Sequence, residues 1–82
     1  MKYKVTKGLK DVINIFNELK KDLIVTHSYF AKTILSLYKG ESGITYEPKR
    51  KKITIVCEEN NDLLKKFNEL INKKQIKLEE IK

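Results

Sequence analysis

The chain has 82 residues, of which 40% are hydrophobic and 35% charged, with one cysteine and a net charge of +7. That length holds a single domain, residues 1–82, with one core, and such a domain buries only roughly 60% of the surface its unfolded chain exposes. The lone Cys57 excludes an internal disulfide and points to a reducing compartment, taken as the cytoplasm; no apolar run approaches the length of a membrane span or secretory leader, so neither is expected.

Residues 2–6 alternate, with Tyr3 and Val5 on one face and Lys2, Lys4 and Thr6 on the other, the pattern of a half-buried strand. After Gly8, the apolar positions Leu9, Val12, Ile13, Phe16, Leu19 and Leu23 recur at steps of three and four and predict an amphipathic helix. The β-branched run Leu23-Ile24-Val25 reads as a short strand. Thr26 or Ser28 then suits the cap of a second helix with Phe30, Ala31, Ile34, Leu35 and Tyr38 inward, stopping at Gly40, with residues 40–43 as a loop.

Residues 44–47 and 53–57 predict a β-hairpin around Pro48-Lys49-Arg50-Lys51-Lys52. Ile53-Thr54-Ile55-Val56-Cys57 is apolar on both faces, which suggests a central strand covered on both sides, and Pro48 fits the turn. Asn60, Asn61 and Asp62 supply caps for a last helix with the stripe Leu63, Leu64, Phe67, Leu70 and Ile71 and with Lys73 and Lys74 in its final turn. Ile76 and Leu78 alternate with Lys77 and Glu79, a terminal strand. The expected fold is α+β, in the order β-α-(β)-α-β-β-α-(β), with helices packed on a mixed or antiparallel sheet.

The charge suggests an anionic partner, although seventeen of the eighteen cations are Lys in a chain also rich in Asn and Ile, a bias that an AT-rich genome produces regardless of function. Position is therefore more informative than total. Residues 1–10 carry +4, residues 49–52 carry +4 and the remainder −1. A hairpin tip bearing Lys49, Arg50, Lys51 and Lys52 can clasp phosphates, and only Arg50 offers a bidentate contact. Lys2 and Lys4 would join it if their strand lies beside the hairpin; the bland alternative is an edge strand kept from aggregating by lysine. Tyr46, next to the tip, is the best-placed aromatic for stacking on a base, ahead of Tyr3 and Phe30.

These features favour a non-catalytic protein that binds DNA or RNA, needing no cofactor or metal. The main alternative is a protein-interaction module, a small regulator or inhibitor of a larger complex or a homodimer, and the third is a small ribonuclease using Arg50, Tyr46 or His27. His27 lacks an orienting partner and a nucleophile in sequence, and fits a capping or exposed role better. Cys57 reads as a small buried hydrophobe. The carboxylate pairs Glu58-Glu59 and Glu79-Glu80 are adjacent in sequence and would point to opposite faces of a strand.

A winged-helix reading of the Thr26 segment and the basic hairpin lacks its recognition helix. In element order alone, the opening strand, helical pair and basic hairpin resemble the small ribosome-dependent ribonuclease toxins. Their folds end in strands, whereas a helix is expected here after the hairpin, and their basic and aromatic active-site pattern has no residue-by-residue counterpart. No family is assigned.

Overall fold

The alternating and helical periodicities are realised as six strands and two helices in the computed structural model, which describes residues 1–58 and 60–81. The elements are β1 (Lys2–Lys7), α1 (Leu9–Lys20), β2 (His27–Phe30), β3 (Leu35–Lys39), β4 (Ser42–Glu47), β5 (Lys52–Val56), α2 (Asp62–Lys73) and β6 (Lys77–Glu80). The strands form one antiparallel sheet in the order β2-β3-β4-β5-β1-β6. The α+β class, the opening strand, the basic hairpin, the last helix and the terminal strand stand as expected. The geometry of Glu58-Glu59 lies outside the described residues.

Both helices cover the same face of the sheet. Val12, Ile15, Phe16 and Leu19 of α1 and Leu63, Leu64, Phe67 and Ile71 of α2 share one core with Val5, Leu37, Ile44, Tyr46, Ile53 and Ile55 of the strands. Phe16 sits at its centre, 6.0 Å from the Tyr46 ring and 5.9 Å, edge-on, from that of Phe67. Asn61 caps α2 by accepting a hydrogen bond from the Leu63 N–H, satisfying one of the free donors of the first turn. Among the described residues, no helix is long and apolar enough to cross a membrane.

Three expectations fail, each for a local reason. The inward stripe of α1 contains Ile15 and leaves Ile13 exposed, and Leu23 is 100% exposed because the helix has already ended at Lys20. The Asp22 carboxylate accepts from the Ile24 N–H and its carbonyl from the Val25 N–H, so residues 23–25 form a turn and not a strand. The helix expected to follow is a β-hairpin. Leu35 and Leu37 alternate with Ser36, and Leu37, absent from the helical stripe, is fully buried. Thr26 does not cap a helix; its hydroxyl donates to the Tyr38 carbonyl and accepts from the Gly40 N–H, closing the strand pair.

Gly40 is accordingly a hairpin residue and not a helix stop. Its φ of +63° fills the first position of the two-residue connection between Lys39 and Ser42, where a positive φ matches the twist of the flanking strands. Residues 42 and 43, expected in a loop, belong to β4. β5 is central in pairing order, as expected, but it is covered on one side only: Val56 points to the open face and is exposed.

Candidate nucleic-acid interface

The β4–β5 connection, residues 48–51, is closed by the Lys51 N–H donating to the Pro48 carbonyl at 3.2 Å, with Lys51 in the left-handed region at φ 54°. Lys49, Arg50 and Lys51 are exposed at this tip, and Pro48 lies in the turn. Arg50 reaches back to Glu47 at 3.6 Å with its side chain 72% exposed, a contact of little energetic weight that leaves the guanidinium free to engage other groups.

β1 runs beside the hairpin. Lys4 is directly opposite Lys52, and the Val5 N–H donates to the Lys51 carbonyl at 2.7 Å, so the backbone of the tip is tied to the first strand. Lys2 and Lys4 alternate with the inward Tyr3 and Val5 and therefore stand on the helix-free face. Lys52, at the end of the tip, shares that face with Lys2 and Lys4, and the exposed Lys49, Arg50 and Lys51 precede it in the turn. β1 also lies between β5 and β6, an interior position, so protection of a sheet edge does not account for its lysines.

Cross-strand register organises the open face into rows. One row runs Glu47, Lys52, Lys4, Glu79 across β4, β5, β1 and β6. The acids at its ends moderate the cations, yet among the described residues no salt bridge engages Lys2, Lys4, Lys49, Lys51 or Lys52. The next row runs Tyr29, Ser36, Thr45, Thr54, Lys2 from β2 to β1. A third begins with His27 and Tyr38, whose rings stack at 4.4 Å and 10°, and continues through Gly43 to Val56. Tyr38 leans over Gly43, where a Cβ would come within 2.9 Å of its ring.

The structure places the expected aromatics elsewhere. Tyr46 is 1% exposed and points into the core against Phe16, so it cannot stack on a ligand from its observed position; alternation from Ile44 puts it on the inner face. Burial also pushes its phenol up from the ordinary value of 10.0. Phe30 is partly buried on the inner face with the Lys20 ammonium 4.6 Å from its ring centre, and Tyr3 is partly buried with its hydroxyl donating to the Met1 sulfur.

The aromatics that do stand on the open face are Tyr29, Tyr38 and His27. A period of two from the inward Phe30 and Leu37 along the two strands is the signal that puts both tyrosines on the open face. His27 is exposed, beside the Thr26 hydroxyl and stacked on Tyr38. Cys57 is partly buried, its thiol pushed up by burial and donating weakly to the Gly43 carbonyl. No known protein family, curated protein or solved structure matches this chain.

Proposed function

We propose that this protein is a small non-catalytic nucleic-acid-binding protein of the cytoplasm that grips phosphates with Lys49, Arg50, Lys51 and Lys52 of the hairpin tip and with Lys2 and Lys4 of β1. The observation that carries the reading is the Lys4–Lys52 pair, which joins two separate basic segments into one surface. Like charges directly opposite on a sheet are unfavourable; Glu47 and Glu79, across from the two lysines on their other sides, relieve part of that cost, and a polyanion would relieve more. Six cations in reach of one backbone would make affinity steeply salt-dependent and largely blind to sequence, with Arg50 alone suited to a bidentate contact.

The test is a fluorescence-anisotropy titration of labelled DNA and RNA at two salt concentrations, with the parent chain and a Lys49→Glu/Arg50→Glu/Lys52→Gln variant. Glutamine is used at 52, which is directly across from Glu47 in the sheet, whereas position 50 lies in the turn with its side chain 72% exposed and can turn a glutamate to solvent. The variant should keep its circular dichroism spectrum and melting point and lose binding. Equal retention of parent and variant on the probe at low salt would reject the reading. Cellular partners of the tip that survive nuclease would favour the protein-interaction alternative, and cleavage of intact RNA that is lost on changing Arg50 would favour the ribonuclease.

A further inference from the structure

We infer that the helix-free face of the sheet is a bed for single-stranded nucleic acid, crossed from β2 to β1, with one base stacked on Tyr29 and the backbone held by Lys2, Lys4 and Lys52. This rests on the nucleic-acid reading above and specifies the strandedness of the target. Its basis is the row Tyr29, Ser36, Thr45, Thr54, Lys2, which spans five adjacent strands of the open face.

The ends and the middle of that row differ in height and chemistry. Tyr29 is 60% exposed and, among the described residues, pairs with no other ring, so both its apolar area and its π-face are available. The middle is a low floor of small hydroxyl side chains, in which Ser36 is buried and within 3.1 Å of the Thr45 hydroxyl. No acid lies in the row, while Lys2 ends it and Lys4 and Lys52 flank it. Glu47 and Glu79 stand at the two ends of the flanking row that holds Lys52 and Lys4, so the cations occupy its middle. The stacked His27–Tyr38 pair stands on the other side, at a diagonal to Tyr29, and can wall the bed or meet a second base.

Size and shape separate the strand from the duplex. Four strand spacings from β2 to β1 amount to about 19 Å, which matches about five or six nucleotides at a stacked rise of roughly 3.4 Å. A duplex keeps its base faces stacked inside, out of reach of Tyr29, whereas a single strand can turn a base onto the ring. Base–aromatic stacking next to a cationic groove is the general means by which single strands are held without sequence preference.

The experiment compares oligothymidylate and oligouridylate of twelve nucleotides with a blunt duplex of the same length, using the parent chain, Tyr29→Ala, Tyr29→Phe and Lys2→Gln/Lys4→Gln. Tyr29→Ala is expected to weaken single-strand binding by about 5- to 150-fold, the equivalent of about 1–3 kcal/mol for one stacked base, with the salt slope and duplex affinity unchanged. Tyr29→Phe should bind like the parent. The lysine pair should lower the single-strand salt slope by about 1.4. Unchanged single-strand affinity of a folded Tyr29→Ala variant, with binding still lost in the tip variant, overturns this inference and leaves the proposed function standing. A parent chain that binds none of the probes overturns both.

Discussion

Replacing Tyr46 separates a core residue from a ligand-contacting one, because the two roles demand opposite results from alanine and phenylalanine. The ring is 1% exposed and touches Phe16, which in turn meets Phe67, so it links the sheet to both helices. Truncating a buried aromatic to alanine costs about 3–5 kcal/mol, lost transfer energy plus the cavity left behind. A domain of this size has about 4–12 kcal/mol in total, at roughly 0.05–0.15 kcal/mol per residue. Tyr46→Ala should therefore lower the melting temperature by about 12–40 °C, at about 4–8 °C per kcal/mol, and leave the domain marginal. Tyr46→Phe keeps the ring and should stay within about 1.5 kcal/mol of the parent. Urea and thermal unfolding followed by circular dichroism give both numbers, and anisotropy gives binding. An alanine variant that melts within a few degrees of the parent, or a stable phenylalanine variant that loses nucleic-acid binding, would refute the placement of this ring in the core.

The same position has an alkaline signature. Burial favours the neutral phenol in the folded state, raising its pKa above 10.0, so stability holds below pH about 10 and falls as pH rises toward the folded-state value; Tyr46→Phe should flatten that limb. Lys66 and Cys57 contribute there too, since the hydrogen bond to Asp22 raises the Lys66 pKa above 10.5 and burial raises that of the Cys57 thiol above 9.0, and the phenylalanine effect is best isolated in an Asp22→Asn/Cys57→Ala background. On the acid side, the hydrogen bond from Lys66 and then that from the Ile24 N–H lower the Asp22 pKa, and Lys39 lowers that of Asp62, both from 3.8. These carboxylates stabilise the fold above about pH 4, and that stability disappears as pH falls through the depressed folded-state values; Asp22→Asn and Asp62→Asn should each make the acid limb of a pH-dependent urea titration shallower. Gly8→Ala should destabilise by at least about 1 kcal/mol more than Gly40→Ala in the same urea assay. Both need a positive φ, +91° and +63°, but a Cβ at Gly8 meets the Ile76 side chain at 2.9 Å whereas Gly40 has open space around it.

What the sequence shows of this fold is what local chemistry can encode. Tyr3 and Val5, the Asn61 cap with the stripe from Leu63 to Ile71, and Pro48 at a turn between apolar runs each fix an element within a few residues of itself. Residues 27–39 carry no such signal. Phe30, Ile34, Leu35 and Tyr38 satisfy a helical spacing, and Leu35, Leu37 and Ser36 satisfy an alternating one; the tie is broken by partners, because β3 gains β2 on one side and β4 on the other. A helix there would leave β4 as an edge and Leu37 without its place against α1. The short turn after α1 was hidden for a different reason: the Asp22 carboxylate, invisible to hydrophobic pattern, captures the Ile24 N–H and removes Leu23 from the helix it extends in sequence.

The candidate site divides along the same line. Four consecutive cations are visible in any sequence, and the alternation of Lys2 and Lys4 gives their face, but their meeting with the tip depends on β1 lying beside β5 across the intervening α1, β2, β3 and β4. The row from Tyr29 to Lys2 depends on four registers at once. One of these is set by the Gly40–Glu41 connection, and a slip of a single residue in any of them would turn one side of the row toward the helices. Ser36 gives a reason why the β3–β4 register resists such a slip: moving it inward would put a hydroxyl in the core and carry Leu37 to the open face, losing both the buried leucine and the Ser36–Thr45 contact. The packing that holds the core on one side thus holds the aromatic and the cations in line on the other, although Tyr29 and Lys2 are 27 positions apart and neither fixes the place of the other in sequence.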